Sequence, residues 1–281
     1  MVEKRPWLTF CSHSVMILGV LIIALPIWVT FVASTHDQIR MLQAPVPLWP
    51  GSAFWENYKG VLTEGVGSSA PPVLTMLLNS LVMALAISIG KIAISIIAAY
   101  AVVYFKFPLR MTFFWMIFIT LMLPVEVRIL PTYEVIANLG MLNTYAGLTI
   151  PLIASATATF LFRQFFLSVP DELTEAARID GAGPLRFFWD VLLPLSRTTI
   201  AALFVIQFIY GWNQYLWPLL VTTDESYYTI VMGISRMVNV LDTTANWSRV
   251  MGTAMLAMIP PVIVVVFMQR QFVKGLVDTE K

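Results

Sequence analysis

The segment EAARIDGAGPLRFFWDVLLP, residues 175–194, gathers charges, small residues and glycines in a chain otherwise poor in charge. Glu175, Arg178 and Asp180 surround a face made of Ala176, Ala177 and Gly181. Small residues let a backbone come close to another surface, and charges around them fix the register. The chemistry this spacing offers is therefore docking rather than bond making. A solvated connection built from good helix formers is the plainer alternative.

Catalytic constellations are missing. Lys91 follows Gly90, but Leu85 stands where a phosphate loop needs its first glycine, and Ile92 stands where it needs Ser or Thr. The only histidines are His13 and His36; there is no H-E-x-x-H and no serine in a G-x-S-x-G elbow. Cys11 is the single cysteine, which excludes an internal disulfide and a cysteine metal cluster. The expectation is no catalytic residue, no metal site and no cofactor on this chain.

The elements that must hold the segment follow from composition. With 58% hydrophobic and 12% charged residues, the chain falls outside the soluble globular range. A net charge of +1 provides no basic face for nucleic acid. Membrane lipid is the expected surrounding. About 20 apolar residues cross the hydrocarbon, and charge-free runs place six spans near 14–34, 73–100, 111–130, 141–163, 199–221 and 250–269. The fold class expected is an all-α, polytopic membrane protein, with residues 1–13 as a cytoplasmic amino terminus and 14–281 as the transmembrane domain. The first run exceeds a signal peptide's apolar core, so an uncleaved anchor is expected; cleavage near Ala33 is the alternative.

Six spans and an inside amino terminus put eleven of the 17 Lys and Arg residues in the cytoplasm. Arg40, Lys59, Arg128, Arg236 and Arg249 lie opposite, and Lys91 lies within a span. That asymmetry fits both termini inside, and it makes 164–198 a cytoplasmic loop. The external segments 34–72 and 222–249 mix aromatics, Pro, Gly and charge, so each is expected to be partly structured or to be a wetted connection with interfacial aromatics.

Within the cytoplasmic loop, Ser168 can cap a helix, Pro170 suits its first turn, and Asp171 and Glu172 complement its dipole. Gly181 and Gly183 fit a left-handed close, and Pro184 begins a second helix. Phe187, Phe188, Val191 and Leu192 give that second helix an apolar side, expected on the membrane surface.

The spacing of Glu175-Ala176-Ala177, Gly181, Val191 and Leu193-Pro194 resembles the EAA motif of ATP-binding cassette importer permeases. The fuller EAARIDGA, with a Phe and LPL after it, resembles the branch for sugars and glycerol phosphates, as do FFWMIFITLMLPVEVRILPTYEVIANLGMLNTYAGL and IYGWNQYLWPLL. The resemblance implies a type I importer permease in the bacterial inner membrane. It implies that Glu175, Ala176, Ala177, Arg178, Asp180, Gly181 and Pro194 seat on a homodimeric cassette ATPase, which binds ATP and Mg. A homologous second permease subunit and a periplasmic substrate-binding protein complete the implied assembly. Glycerol-3-phosphate and glycerophosphodiesters are the implied cargo; an oligosaccharide such as maltose fits the motif equally, and an ion-coupled secondary transporter remains a further alternative.

Polar side chains at membrane depth face a bundle interior or a wet cavity. Gln207, Tyr210, Gly211, Gln214 and Pro218 share one side at helical periodicity, so Gln207, Tyr210 and Gln214 are path candidates, with Asn213 and Trp217 beside them. The alternative has both glutamines joining helices and Trp212, Tyr215 and Trp217 in an aromatic belt. Arg128 could meet a phosphate with its guanidinium fork or pair with Glu126 or Glu134; Pro124 and Pro131 predict irregular backbone there. Asn79 could bond cargo or join helices. Lys91 could face the cavity, the partner permease or a structural partner.

Overall fold

Apolar runs without charges have no way to satisfy their backbone in lipid except as helices, and in the computed structural model every described element is a helix. The structure describes residues 6–64, 70–120, 125–239 and 245–277, with side chains for all of these but 6, 125–126 and 270–277. Lys4, Arg5 and Lys281, counted above among the eleven cytoplasmic cations, and Pro124 lie outside the described residues, as do the side chains of Glu126 and of Arg270 and Lys274, two more of the eleven.

Three of the helices are long and apolar enough to cross a membrane: Trp7–Ser34, Val73–Tyr104 and Trp247–Gln269. Two further candidates are bent pairs, Tyr145–Leu152 with Ala156–Leu167 (46°) and Pro184–Leu195 with Arg197–Trp212 (70°). The region expected to form a span at 111–130 is a short helix, Arg110–Ile119, followed after the undescribed residues by Val125–Asn138. Pro131 does not break that second helix, which runs through it; Thr132 Oγ1 donates to the Arg128 carbonyl at 2.7 Å, giving one carbonyl beside the proline a side-chain partner.

The fourth expected span is interrupted rather than continuous. Ser155 caps the second half, its hydroxyl accepting from the Ala158 amide at 3.2 Å. Ser95 Oγ donates to the Ser155 carbonyl at 3.1 Å, so the break is anchored to a neighbouring helix. The fifth is interrupted too: the helix Arg197–Trp212 ends at Asn213, and Leu216–Val221 begins after it. The helical periodicity assumed from Gln207 to Pro218 therefore stops at Trp212.

The described chain divides into two compact units, Met1–Thr75 with Gly233–Ile259, and Met76–Met232 with Pro260–Lys281. In the first, the helix Pro6–Ser34 turns most of its large apolar side chains outward, as lipid contact requires. Its end is tied to the following segment: Asn57 Nδ2 donates to the Ser34 and His36 carbonyls at 2.9 and 2.7 Å. The segment 34–72 thus contains a folded helix, Phe54–Thr63, rather than only a wetted strand of chain. Arg249 reaches Glu64 at 3.3 Å over Gly60.

In the second unit, two apolar clusters form. One joins Ile96, Ala99 and Tyr100 to Phe162, Phe166, Phe187, Phe188 and Leu192. The other joins Met83 and Ile87 to Ile129, Ile136, Leu148, Trp217 and Val221. Between the helices of Ala84 and Gly211 the approach is close enough that a Cβ on Gly211 would meet Ala84 Cα at 2.9 Å; small residues allow such contact where lipid supplies no hydrophobic drive between helices.

Candidate coupling and translocation sites

The first helix of the 175–194 segment spans Asp171–Ile179, with Asp171 and Glu172 in its first turn as the dipole favours. Its start differs from the sequence expectation by a residue or two: Pro170 occupies the capping position, while Ser168 closes the preceding helix by donating to the Phe165 carbonyl at 2.7 Å. Pro170 lacks the amide that would continue that preceding helix, so the serine acts backward.

The helix ends in a two-bond left-handed turn. Gly181 N–H donates to the Arg178 carbonyl at 3.0 Å and Ala182 N–H to the Ala177 carbonyl at 2.8 Å, with Gly181 at φ +72°. Gly183 was expected to share this role, but its φ is −70°; it caps the next helix, where Pro184 is the first residue. That helix is α from Pro184 to Phe187 and widens to a π turn over Phe188–Leu192. The Leu193 amide reaches the Phe188 carbonyl five residues back. A wide turn here makes room for Pro194, whose ring would clash with the carbonyl four residues earlier.

Its apolar side is not laid on a membrane surface. Phe187, Phe188 and Leu192 are buried in the protein's own cluster with Tyr100 and Phe162. The Tyr100 hydroxyl donates to the Pro184 carbonyl at 2.8 Å, and the Tyr104 ring packs edge-on to Phe187. A groove of about 280 Å³, lined by Tyr100, Tyr104, Lys106, Ala177, Arg178 and Phe187 among others, runs alongside. The segment is thus held firmly on its inner side.

Its outer side is open. Glu175, Ala176, Arg178, Asp180 and Gly181 are exposed, and a Cβ at Gly181 would meet nothing within 4 Å. Sequence reasoning passed over Ile179 and Leu185, which are 85% and 75% exposed and add apolar surface to this charged rim. Their signal was visible only as hydrophobes off the buried side of each helix. Pro194 stands apart, beside a groove of about 590 Å³ with Trp189, Arg197 and Phe204.

The path candidates separate into three environments. Asn79 is buried and fully engaged: Nδ2 donates to the Ser226 and Tyr228 carbonyls at 2.7 and 3.0 Å, and Oδ1 accepts from the Tyr145 hydroxyl at 2.6 Å. Gln207 is buried within its helix, and Asn213 is exposed at that helix's end. Arg128, Gln214 and Trp217 come together around a cavity of about 80 Å³ with Ile129, Thr132 and Leu152. Gln214 Nε2 donates to the Tyr210 carbonyl at 3.1 Å across the helix break, so the pair remains joined although the helix does not continue.

Trp212 and Trp217 do not form an outer belt, since both are buried; Trp217 Nε1 donates to the Gly147 carbonyl at 3.1 Å. Lys91 is buried with its ammonium 3.6 Å from the centre of the Tyr210 ring. Among the described residues, Arg128 makes no ion pair with Glu134. No group of three or more His, Cys, Asp or Glu able to hold a metal occurs among them either.

Comparison with known proteins locates the chain. Residues 91–277 match the family described as binding-protein-dependent transport system inner membrane component. The chain is 59% identical over its 281 residues, and over the full length of the relative, to the sn-glycerol-3-phosphate transport system permease protein UgpE of Escherichia coli O1:K1 / APEC. Identity is the same, again over both full lengths, to the protein of that name from Yersinia pestis bv. Antiqua (strain Antiqua). A solved bacterial ABC transporter involved in the import of the acidic polysaccharide alginate has a chain with TM-score 0.81, 22% identity and coverage of 97% of this chain and 99% of its own; that likeness speaks for the fold.

Proposed function

We propose, from the premise that this chain belongs to the family of binding-protein-dependent transport system inner membrane components, that it is a permease subunit of an ATP-driven importer of sn-glycerol-3-phosphate and glycerophosphodiesters. The observation that carries the cargo is the 59% identity, end to end, with permeases of that name. The working assembly is this subunit with a homologous second permease, a homodimeric cassette ATPase that binds ATP and Mg, and a periplasmic binding protein. The chain itself is a transport subunit and binds no cofactor. It sits in the bacterial inner membrane with six spans and both termini in the cytoplasm.

The coupling surface in this reading is the exposed rim of Glu175, Ala176, Arg178, Asp180 and Gly181, with the half-buried Ala177 behind it and Pro194 shaping the far end of the second helix. Support comes from its asymmetry: an outer side left open, and an inner side locked to the helix Val73–Tyr104 through Tyr100. ATP binding draws the ATPase subunits together, the seated segment moves with them, and the bundle turns from an inward-facing to an outward-facing state. Ligand and nucleotide act by stabilising different states of one equilibrium. The path candidates are Arg128, Gln207, Tyr210, Asn213, Gln214 and Trp217, with Asn79 bracing the outer loop.

Cells lacking their own glycerol-3-phosphate uptake, supplied with this subunit and its three partners, test the reading. Labelled sn-glycerol-3-phosphate should enter in an ATP-dependent manner. Uptake of maltose instead, or uptake that follows an ion gradient and ignores ATP, would overturn it.

A further inference from the structure

A buried ammonium at membrane depth needs a partner, because withdrawing it from water is costly. Lys91 is 6% exposed within the helix Val73–Tyr104, and among the described residues it makes neither a hydrogen bond nor an ion pair. Its close neighbour is the Tyr210 ring, 3.6 Å away. A cation over a desolvated ring gains from the ring's negative face, which offsets only part of that cost.

Arg128 adds to the imbalance. Its exposed guanidinium also lacks an ion pair among the described residues. The two cations are connected by structure. Arg128 lines the 80 Å³ cavity with Gln214 and Trp217, Gln214 is bonded to the Tyr210 carbonyl at 3.1 Å, and Tyr210 and Trp217 pack on the same apolar cluster. Arg128 and Lys91 thus lie at the two ends of one run of contacts through Gln214 and Tyr210, and among the described residues no carboxylate is bonded to either.

We infer that Lys91 and Arg128 form an anion subsite on the cargo path that receives the phosphate of a phosphate ester, with Gln214 and the Tyr210 ring bounding it; this rests on the importer reading above. An arginine fork matches two phosphate oxygens, while an ammonium adds a compact charge beside them. The same pair gives nothing to a neutral sugar, for which two uncompensated charges are a cost. The subsite therefore selects by charge within the membrane, after the binding protein has selected outside it.

The assembled importer decides the matter through the KM and maximal rate of labelled glycerol-3-phosphate uptake. R128Q and K91M should each lower uptake efficiency roughly tenfold or more, and R128K and K91R should recover a large part of it. The double variant should lose less than the product of the single losses, because both act on one anion. Arg128 lies at the surface, so R128Q decides the question even where K91M fails to assemble. Uptake by R128Q within twofold of the unaltered importer would overturn the subsite while leaving the importer reading intact. An unaltered importer that carries no glycerol-3-phosphate would overturn both.

Discussion

The Tyr100 hydroxyl donates to the Pro184 carbonyl across 2.8 Å, joining a span-length helix to the first residue of the second coupling helix. That carbonyl also accepts from the Phe188 amide, so the tyrosine reinforces a turn already formed. Removing only the hydroxyl separates attachment from packing. Tyr100→Phe keeps the ring against Phe188 and deletes one bond, worth about 1 kcal/mol. Amide exchange over residues 185–188 should quicken and more ATP should be spent per molecule of cargo. Unchanged exchange there would mean that the ring alone holds the segment.

Gly181 is needed for its backbone, since φ is +72° while a Cβ would find open space within the subunit. Gly181→Val should cost about 1–2 kcal/mol of local strain and abolish uptake while the subunit stays in the membrane. Gly181→Asn tests which feature matters, because asparagine tolerates the left-handed region. Retained uptake in the asparagine variant would assign the glycine to turn geometry. Loss equal to that of Gly181→Val would assign it to close approach of the ATPase.

What the sequence made legible was mostly local. Dipole-matched acids, the left-handed Gly181 and the proline start at Pro184 all depend on neighbours in the chain, and all stand in the structure. The misjudged features depend on distant partners. Phe187 and Leu192 read as a membrane-facing stripe because nothing in the sequence shows that Tyr100 and Phe162 cover them. The break after Trp212 was hidden because an apolar run looks the same whether its helix is straight or broken. Asn79 read equally as bonding cargo or joining helices, and the partners that engage it within the subunit lie 66 to 149 residues away in the chain.

Gly211 should be intolerant of even one methyl. Its prospective Cβ would meet the Ala84 backbone, and backbone cannot swing aside as a side-chain tip can. Gly211→Ala should destabilise the subunit by about 1–3 kcal/mol, read as a lower unfolding temperature in detergent. Ala84→Gly should not restore it, because the nearest atom is Ala84 Cα, at 2.9 Å, rather than its methyl group. Full rescue would show that the helices meet through side chains instead.

Asn79 anchors the loop that follows Thr222, and Asp224 shapes the same loop. Asn79→Leu should release the carbonyls of Ser226 and Tyr228 and the hydroxyl of Tyr145 together, costing about 2 kcal/mol or more. Proteolysis between residues 222 and 230 should accelerate in that variant. An unaltered cleavage rate would show that other contacts hold the loop.

The Asp224 carboxylate accepts from the Ser226 amide and hydroxyl at 2.9 and 2.8 Å, and these bonds hold its pKa below the ordinary 3.8. Because the folded value is the lower one, the carboxylate's contribution to the turn is fully present above pH 3.8. It is lost as pH falls through the folded value. Protection of the Ser226 amide from exchange, corrected for the intrinsic rate, should therefore be constant from neutral pH down to that range and then decline. Asp224→Asn should show no such decline, because its amide does not titrate. A decline in the asparagine variant at the same pH would place the controlling group elsewhere in the loop.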